Sequence, residues 1–364
     1  MTYDFLIVGA GLFGSVFARE ATDKGYSCMV IDKRTHIAGN CYSKDIDGIS
    51  VQKYGPHIFH TSSKPIWDYI NRFSEFEQYQ HNVIANYFDS IYNLPFNLHT
   101  FNQMFGTYKK DEILQNIELS RFKGEPTNLE EYALSVVGRD VYQKLIYGYT
   151  KKQWGTEPRN LPKSIITRLP LRFTFDNNYY NDTYQGIPKH GYTKLFENLL
   201  DGSDVYLECD FFDSKRSTWE KIAKRIVYTG PIDKFYDYCH GKLDYRSLRF
   251  EEHKLEQESY QGCSQVNYTD AHTPYTRIIE HKFFRKIPTN HTIITKEFPA
   301  SYQETEEPYY PINNQENQSI VSKYKSIKND KYILGGRLAE YKYYDMHQVI
   351  GSVLKVTKRI DKCV

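Results

Sequence analysis

Three glycines near the start of the chain, Gly9, Gly11 and Gly14, have the spacing that cradles a phosphate. They follow an apolar run at residues 5–8, predicted to be a buried parallel strand, and precede a predicted helix at residues 15–24. Gly9 permits a tight turn, Gly11 lets backbone approach a pyrophosphate, and Gly14 lets the helix pack closely. The helix N-terminus adds N–H groups and a partial positive charge. This segment is therefore predicted to bind a dinucleotide.

The residues that follow extend the same predicted site. A second apolar run at residues 28–31 leads to Asp32, which is placed to accept hydrogen bonds from a ribose diol. Lys33 and Arg34 then precede a turn that contains Gly39, and a glycine turn beside a cation suits a second contact with the pyrophosphate. The same fingerprint serves nicotinamide and flavin cofactors, so these residues leave that choice open.

Two further stretches are candidates for the reactive end of the cofactor. In the first, Gly55, His57 and His60 suit close approach to a flat ring system, although each residue alone is more typical of a surface loop followed by a core histidine. The second, residues 335–348, lies near the C-terminus and fits the other half of one flavin site. A chain that begins and ends at one cofactor carries its substrate machinery in between.

Five longer strings give the chain a specific resemblance. They are residues 148–155 (GYTKKQWG), 172–179 (RFTFDNNY), 184–188 (YQGIP), 275–281 (YTRIIEH) and the C-terminal block 335–348. With these strings in this order, the chain resembles bacterial UDP-galactopyranose mutases from Phe5 to Gln348. These flavoenzymes interconvert the six-membered and five-membered ring forms of UDP-galactose. Ala38 is one departure, because the family often has a second glycine before Gly39. Alanine needs only a negative φ here, so we expect a small effect on the turn.

The resemblance implies FAD as the cofactor, active when reduced. In the family, flavin N5 attacks the anomeric carbon and expels UDP, an iminium forms with the open-chain sugar, another hydroxyl recloses the ring, and UDP returns. The implied cofactor-binding residues are Gly9, Gly11, Phe13, Gly14, Asp32, Lys33, Arg34, Gly39, Asn40, His57, Gly336, Arg337, Tyr344, Asp345 and Met346. Gly55 is a further candidate for lining the flavin and the sugar.

The resemblance also implies the substrate site. It implies that Arg168, on a mobile loop, and Arg277, at a fixed position, bind the diphosphate. The implied catalytic residues are these two arginines and His60. Arg172 is a rival in the same segment as Arg168. The implied substrate-binding residues are Asn82, Tyr149, Thr150, Trp154, Arg168, Tyr179, Arg277, Tyr310 and Tyr343. Tyr149 would stack on the uracil, whereas Trp154 has the alternative of a core residue at a helix end.

The predicted fold is α/β, with a discontinuous Rossmann-like FAD-binding domain, an inserted helical domain and an antiparallel β-sheet domain. The FAD-binding domain is predicted at residues 1–70, 191–232 and 325–364, and the helical domain at 97–163. Stretches rich in Tyr, Phe, Thr and Ile indicate the antiparallel sheet at 71–96, 164–190 and 233–324. Within the last stretch, residues 304–307 and 313–318 indicate polar turns.

Bulk composition narrows the function classes. The 364 residues carry 47 Lys and Arg against 45 Asp and Glu, so binding to nucleic acid is not expected. The six cysteines lie far apart without a C-x-x-C motif, which predicts neither a disulfide framework nor a metal site. No signal-peptide pattern and no long apolar run occur, so we expect a cytoplasmic protein without membrane insertion. The family implies a homodimer, a product used in the cell envelope, and an external reductant such as NAD(P)H or a flavin reductase.

Two other functions fit parts of the same sequence. The N-terminal fingerprint alone favours an ordinary flavin or nicotinamide oxidoreductase, which consumes a redox equivalent in each turnover. A non-catalytic nucleotide-sugar binding protein needs only the arginines and tyrosines.

Overall fold

In the computed structural model of the protein, the described residues are 2–166, 171–305 and 307–360. The strands are β1 Tyr3–Val8, β2 Cys28–Ile31, β3 Ser43–Ile46, β4 Ile49–Gln52, β5 Phe59–Thr61, β6 Phe76–Gln78, β7 Val83–Tyr87, β8 Ser90–Leu94, β9 Tyr184–Pro188, β10 Asp204–Tyr206, β11 Ala223–Tyr228, β12 Tyr245–Leu255, β13 Gln265–Tyr268, β14 Arg277–Glu280, β15 Thr292–Ser301, β16 Tyr310–Pro311 and β17 Tyr332–Leu334.

The helices are α1 Leu12–Thr22, α2 Lys64–Asn71, α3 Leu98–Phe105, α4 Lys110–Glu118, α5 Leu129–Val141, α6 Gly148–Trp154, α7 Gly191–Leu200, α8 Arg216–Ile222, α9 Ile232–Phe235, α10 Tyr302–Thr305, α11 Gln315–Ser326, α12 Gly336–Ala339 and α13 Met346–Thr357. A π-helical turn at Tyr142–Tyr147 joins α5 to α6. No helix among the described residues is long and apolar enough to cross a membrane.

The nucleotide-binding unit is a five-stranded parallel sheet with the strand order β10-β2-β1-β11-β17. The central strands form the core, since Phe5, Leu6 and Ile7 of β1 and Val30 of β2 are almost fully buried. Helices α1, α7 and α13 pack together on one face of this sheet. The mixed α/β fold with a Rossmann-like unit is therefore confirmed.

The second large sheet has seven strands in the order β16-β12-β15-β14-β13-β7-β8. It is antiparallel as expected, except that β13 and β7 pair in parallel. Strands β6 and β9 do not join this sheet, although the sequence indicated sheet there without distinguishing partners. They form a separate three-stranded sheet with β5, the strand that carries His60. This small sheet places His60 beside the segment that leads into β9.

The helices between β8 and β9 share one apolar core with strands β7 and β8, in which Phe101, Ile113, Val137 and Tyr142 are buried beside Val83. Asn128 caps α5 by accepting a hydrogen bond from the Glu131 N–H at 3.0 Å, as its position before two acidic residues predicts.

Both expected polar turns differ from the structure. The first two residues of the turn expected at 304–307 belong to the short helix α10, Tyr302–Thr305. Residues 313–318 were expected to be a polar turn within a sheet region, but α11 begins at Gln315. The Asn314 side chain accepts a hydrogen bond from the Asn317 N–H at 2.8 Å and so caps the helix. Asparagine favours turns and helix N-caps for the same reason, a short acceptor next to the backbone, so composition alone did not separate the two.

Ala38 also differs from its expectation of a negative φ. Its φ is +74°, in the left-handed region, and its side chain is fully buried. The Ala38 N–H donates to the Ala10 carbonyl at 2.9 Å, which ties this turn to the glycine loop. Left-handed backbone costs a non-glycine residue roughly 1–2 kcal/mol, so the chain keeps this turn under strain.

The two ends of the chain meet at Phe13. An added Cβ on Gly335 would lie 1.9 Å from the Phe13 ring, and one on Gly336 would lie 3.2 Å from the Phe13 Cβ. Beside this contact, Val349, Ile350 and Val353 of α13 share the apolar cluster of α1. The C-terminal patch is thus packed directly on the helix that follows the glycine loop.

We expect Gly335→Ala to lower the free energy of unfolding by about 1–3 kcal/mol, because the buried Phe13 ring has no room to move. The backbone of Gly335 is extended, so only the steric contact is tested. Chemical denaturation of the purified protein measures the change.

Gly351→Ala is the matched control. Gly351 lies inside α13, where alanine favours the helix. Its added Cβ would lie 3.6 Å from the Ile66 Cδ1 of α2, which is an ordinary contact distance. An unchanged unfolding free energy for Gly335→Ala would contradict the close packing described here.

Candidate active site

The glycine loop has the geometry expected of a phosphate cradle. Gly9 has a φ of +105°, and a Cβ on Gly14 would lie 1.9 Å from the Gly9 carbonyl oxygen, so α1 packs against the turn as predicted. Gly11 and Gly39 face each other, with an added Cβ on Gly39 only 3.0 Å from the Gly11 Cα. Gly11 is the N-cap residue of α1, and no described side chain accepts a capping hydrogen bond there. The free N–H groups at this helix end are therefore available to a ligand.

Asp32 lies at the end of β2, and its carboxylate accepts hydrogen bonds from the protein backbone. The donors are the Ala10 N–H at 2.8 Å and the Arg34 N–H at 2.9 Å. The next two side chains form ion pairs with Glu307, Lys33 at 2.6 Å and Arg34 at 3.1 Å. Arg34 also bonds to the Asn40 side chain at 3.0 Å. The predicted cations of the cofactor site therefore have an acidic partner that the sequence did not identify.

At the heart of the predicted substrate site, Arg277 is paired with a buried carboxylate. Arg277 and Glu297 are direct cross-strand neighbours on β14 and β15, and the Glu297 Oε2 accepts from the Arg277 Nε at 2.8 Å and Nη2 at 2.7 Å. The Glu297 side chain is 1% exposed and that of Arg277 is 18% exposed. Burial lowers the pKa of Arg277, but the charge of Glu297 outweighs it and raises this pKa above its usual value. Arg277 therefore stays cationic although it is largely desolvated.

The loop before β5 approaches this ion pair from the nucleotide-binding unit. An added Cβ on Gly55 would lie 3.2 Å from the Glu297 Oε2 and 3.4 Å from the Arg277 Nη2. The His57 ring contacts the Gly55 carbonyl at 2.9 Å. Burial, together with the nearby charges of Arg337 and Arg277, lowers the pKa of His57 to about 4, although the hydrogen bond with the Gly55 carbonyl opposes the shift. Hence this loop joins the predicted cofactor and substrate residues.

Tyrosines surround the two arginines. Tyr310 and Tyr343 stack on each other with their centroids 5.3 Å apart, and the Arg337 guanidinium lies 5.6 Å and 5.5 Å from them. Arg337 is itself held by the Tyr344 carbonyl at 2.8 Å. Burial raises the pKa of Tyr149 above its usual range, and the nearby Arg277 opposes that shift. Tyr310 and Tyr343 thus lie beside Arg337, and Tyr149, the residue predicted to stack on the base, lies near Arg277.

Helix α6 carries Tyr149 and is fixed to the large sheet. The Lys152 Nζ donates to three carbonyl oxygens of the β13–β14 segment, those of Tyr268 at 2.8 Å, Thr273 at 3.0 Å and Tyr275 at 3.0 Å. Burial lowers the pKa of Lys152 to about 8, so its ammonium persists at pH 7. A Cβ on Gly148 would lie 2.4 Å from the Thr269 carbonyl oxygen. The helix is therefore positioned against the end of β13 and the loop that leads into Arg277 at the start of β14.

Other predicted substrate residues have mixed surroundings. Thr150 is buried on α6, whereas Trp154 is partly exposed and belongs to none of the buried clusters of the described chain. Asn82 is exposed and follows the buried His81. Arg168 lies outside the described residues.

Its rival Arg172 is engaged elsewhere. The guanidinium donates to the Asn178 carbonyl and to the Asn181 side chain, and lies 3.5 Å from the Tyr179 carbonyl oxygen. Arg172 therefore shapes the loop that carries Tyr179, and its part in phosphate binding stays a prediction.

The C-terminal block closes the site beside His60. Asp345 forms a capping box with Gln348 at the start of α13, and the Met346 sulfur lies 3.8 Å from the Cys41 sulfur. Donor atoms of His60, Asp345 and His347 lie within 4.8 Å of one another. Because Asp345 caps the helix and His60 has another carboxylate partner, we assign no metal here, and the absence of a metal site stays a prediction.

Comparison with known proteins places this arrangement in a family. A family model described as UDP-galactopyranose mutase matches residues 144–343, which include α6 and Arg277, and one described as an NAD(P)-binding Rossmann-like domain matches residues 7–73. The chain belongs to the UDP-galactopyranose mutase family. As a member of this mutase family, the protein is an isomerase.

Two relatives extend over nearly the whole mutase chain. A dTDP-fucopyranose mutase of Escherichia coli is 39% identical over 362 residues, covering 96% of each protein. A probable UDP-galactopyranose mutase of Klebsiella pneumoniae is 40% identical over 364 residues, covering 97% of this chain and 93% of that protein. The crystal structure of a reduced UDP-galactopyranose mutase matches the fold with a TM-score of 0.77 at 14% identity, covering 100% of this chain and 95% of the other.

Sequence reasoning about this mutase missed Glu297, Lys152 and Glu307. The sequence did contain a signal for Glu297. It follows Ile293 and Thr295 at alternate positions of strand β15, so the three side chains share one face of the strand, and that face is buried. An acid on the buried face of a strand requires a cationic partner. No comparable signal marked Lys152 or Glu307, whose partners are distant in sequence.

We expect Glu297→Gln to lower the free energy of unfolding by about 3–5 kcal/mol, because it leaves the buried Arg277 charge without a counterion. Denaturation of the cofactor-loaded protein measures it.

Glu77→Gln is the control, since its partner Arg285 lies nearer the surface and the loss there is expected to stay below about 1 kcal/mol. Equal losses in the two variants would mean that burial of the Arg277 pair is not the source of the effect.

Three histidines predict sensitivity to acid: His81 and His281 are buried, and His57 is partly buried. Burial lowers the pKa of His57 to about 4 and those of His81 and His281 to about 3, from the usual 6.5. Below pH 6.5 the unfolded chain takes up protons that the folded chain does not, so stability present above pH 6.5 is lost as pH falls toward these values. Each histidine contributes about 1.4 kcal/mol per pH unit in that window.

Urea denaturation between pH 7 and pH 5 measures the slope. His281→Gln removes one of the three groups. In this variant the unfolding free energy is expected to fall less steeply with decreasing pH, by about 1.4 kcal/mol per pH unit, which corresponds to one proton. A slope equal to that of the unchanged protein would refute the assignment for His281.

Proposed function

We propose that the protein is a UDP-galactopyranose mutase that uses FAD in its reduced state. The observation that carries this proposal is the partly buried, permanently cationic Arg277, which lies beside the Gly55 loop of the nucleotide-binding unit and close to Tyr149 and Tyr310. A guanidinium with restricted water access binds phosphate strongly. Next to a dinucleotide fold, such a group suits the diphosphate of a nucleotide sugar.

The proposed reaction is a ring contraction without net oxidation. A reduced flavin held by the glycine loop and the C-terminal block would supply N5 as a nucleophile toward the anomeric carbon. UDP would leave, the sugar ring would open and reclose through a different hydroxyl, and UDP would return. This is covalent catalysis in which a cofactor replaces the nucleophilic side chain.

The proposed roles of the protein residues are binding and orientation. Arg277 and Arg168 would hold the diphosphate and stabilise it as a leaving group. Tyr149 would stack on the base, a contact that is worth about 1–3 kcal/mol. Tyr310 and Tyr343 would donate hydroxyl hydrogen bonds, and closure of the Arg168 loop would exclude water. His60, Gly55, Arg337 and Asp345 would line the flavin and the sugar.

The wider setting is also part of the proposal. We propose a cytoplasmic homodimer that associates through the helical region at residues 97–163, with NAD(P)H or a flavin reductase as the source of electrons. The furanose product would supply cell-surface glycans.

A second candidate substrate is favoured by a specific observation. The dTDP-fucopyranose mutase is 39% identical, almost the same as the 40% of the probable UDP-galactopyranose mutase. The two substrates differ in the base methyl group, the ribose 2′-hydroxyl and the sugar 6-hydroxyl. Both carry the diphosphate that Arg277 suits, so overall identity does not decide between them.

The test is anaerobic incubation of the purified protein with UDP-galactofuranose or dTDP-fucofuranose, with and without dithionite, followed by chromatography of the ring forms. We expect conversion to UDP-galactopyranose only in the reduced sample, and without stoichiometric loss of electrons, because the isomerisation is redox-neutral. Faster conversion of the dTDP-sugar would select the second candidate. Bound flavin without conversion of either sugar would contradict the mutase proposal and favour an oxidoreductase.

Two arginine variants provide the matched comparison. Arg277→Ala is expected to lose most turnover while flavin absorbance is retained, whereas Arg285→Ala, outside the proposed site, is expected to keep turnover. Loss of flavin with normal turnover after reconstitution would contradict the role given to Arg277.

A further inference from the structure

The loop that leads into β9 places a carboxylate against His60. The Asp182 Oδ2 lies 2.6 Å from the His60 Nδ1, and the Asp182 Oδ1 accepts a hydrogen bond from the Ser62 hydroxyl at 2.9 Å. The side chain of His60 is 12% exposed and that of Asp182 is 25% exposed. The contact is therefore shielded from water on most sides.

This contact fixes where the imidazole carries its proton. Burial raises the pKa of Asp182, but the hydrogen bonds from His60 and Ser62 outweigh it and hold this pKa below its usual value. An ionised carboxylate only accepts hydrogen bonds, so the His60 Nδ1 carries hydrogen. In the neutral ring, Nε2 is then a bare acceptor. No hydrogen-bond partner of Nε2 occurs among the described residues.

The plane of the ring is fixed by stacking. The Tyr180 ring lies 3.8 Å from that of His60 at an angle of 12°, and His81 lies on Tyr180 at 5.7 Å and 22°. Tyr180 and Asp182 belong to the same short loop. One segment therefore contacts the face of the His60 ring through Tyr180 and its Nδ1 edge through Asp182. The Tyr179 N–H anchors that segment by donating to the His81 carbonyl at 2.8 Å.

On another side, His60 contacts the C-terminal block. Its ring lies edge-on to that of His347 at 5.4 Å, and a donor atom of His60 lies within 4.8 Å of Asp345. The residues next to Asp345 are those proposed to hold the flavin. His60 thus lies between the loop of Tyr179 and the proposed cofactor site.

We propose that Asp182 is a positioning residue, which holds His60 as the Nδ1–H tautomer with Nε2 ready to accept a hydrogen bond from a sugar hydroxyl. The inference rests on the proposed function, because it assigns the sugar to the space beside the flavin. Asp182 itself touches neither substrate nor cofactor in this scheme. Its effect passes through the His60 ring alone.

The first test reads the tautomer directly and needs no turnover. In protein with ¹⁵N-labelled histidine at pH 8.5, two-bond ¹⁵N–¹H spectra distinguish Nδ1–H from Nε2–H, and His60→Gln identifies the His60 signals. We expect Nδ1–H in the unchanged protein and Nε2–H in Asp182→Asn, because the new amide can donate to Nδ1. The same tautomer in both proteins would overturn the proposal.

Ser62→Ala is the matched control, since it removes the other hydrogen bond to Asp182 and leaves His60 untouched. We expect the Nδ1–H signal to persist in this variant. A tautomer change in Ser62→Ala equal to that in Asp182→Asn would mean that the loop, and not the carboxylate, sets the state of His60, and would overturn the proposal.

The second test is a kinetic cycle with flavin-loaded, reduced protein. We expect Asp182→Asn to lower kcat on the order of 10-fold to 100-fold with KM little changed, as for other carboxylates that orient an imidazole. In a His60→Ala background the same substitution is expected to have no further effect. An equal loss in both backgrounds would show a merely structural role for Asp182.

The two tests separate this inference from the proposed function. If the unchanged reduced protein converts neither sugar, the mutase proposal fails, and the tautomer spectra still decide whether Asp182 positions His60. If the protein converts a sugar but Asp182→Asn matches it in kcat and tautomer, only the role of Asp182 fails.

Discussion

The pairing of Arg277 with Glu297 is the constraint on which the site depends. A guanidinium beside a diphosphate is most effective when little water competes, but desolvating a lone cation costs several kcal/mol. Direct cross-strand placement of Glu297 resolves this conflict, because the counterion is delivered by the same hydrogen-bonded ladder that positions Arg277. The net charge left for a ligand is small, so a diphosphate has to bind through geometry and hydrogen bonds as well as charge. The tyrosines around the pair meet that need.

The site is assembled from units that are far apart in sequence and are joined mainly through backbone contacts. Helix α6 is held on the large sheet by Lys152 and by the close approach that Gly148 allows. The Gly55 loop reaches the same ion pair from the nucleotide-binding unit. Backbone carbonyls and glycines tolerate little displacement, since neither can adjust by a change of rotamer. The regions proposed to bind the base, the diphosphate and the cofactor are therefore held at fixed separations from one another.

Local rules predicted the parts of the fold that local rules govern. The strand, glycine turn and helix of the first 24 residues and the Asn128 cap are present as expected. Glycine spacing and caps act within a few residues, so the sequence contains the information needed. The start of α11 and the positive φ of Ala38 were not predicted, because an N-cap resembles a turn in composition and because tertiary contacts impose the strained backbone. The partners Glu297 and Asp182 were missed since each depends on a long-range register. For the site itself, the family resemblance named residues that single-residue reasoning would have left as surface charges.

Packing of the C-terminal helix on α1 has a consequence for biosynthesis. The apolar side of α1, with Phe13 and its neighbours, is covered by Val349, Ile350 and Val353 of α13 and by the backbone at Gly335. During translation the N-terminal strand and helix leave the ribosome long before these residues exist. The nascent chain therefore exposes the apolar side of α1 until α13 has been synthesised. Completion of this unit has to wait for α13, and until then the surface is available to chaperones.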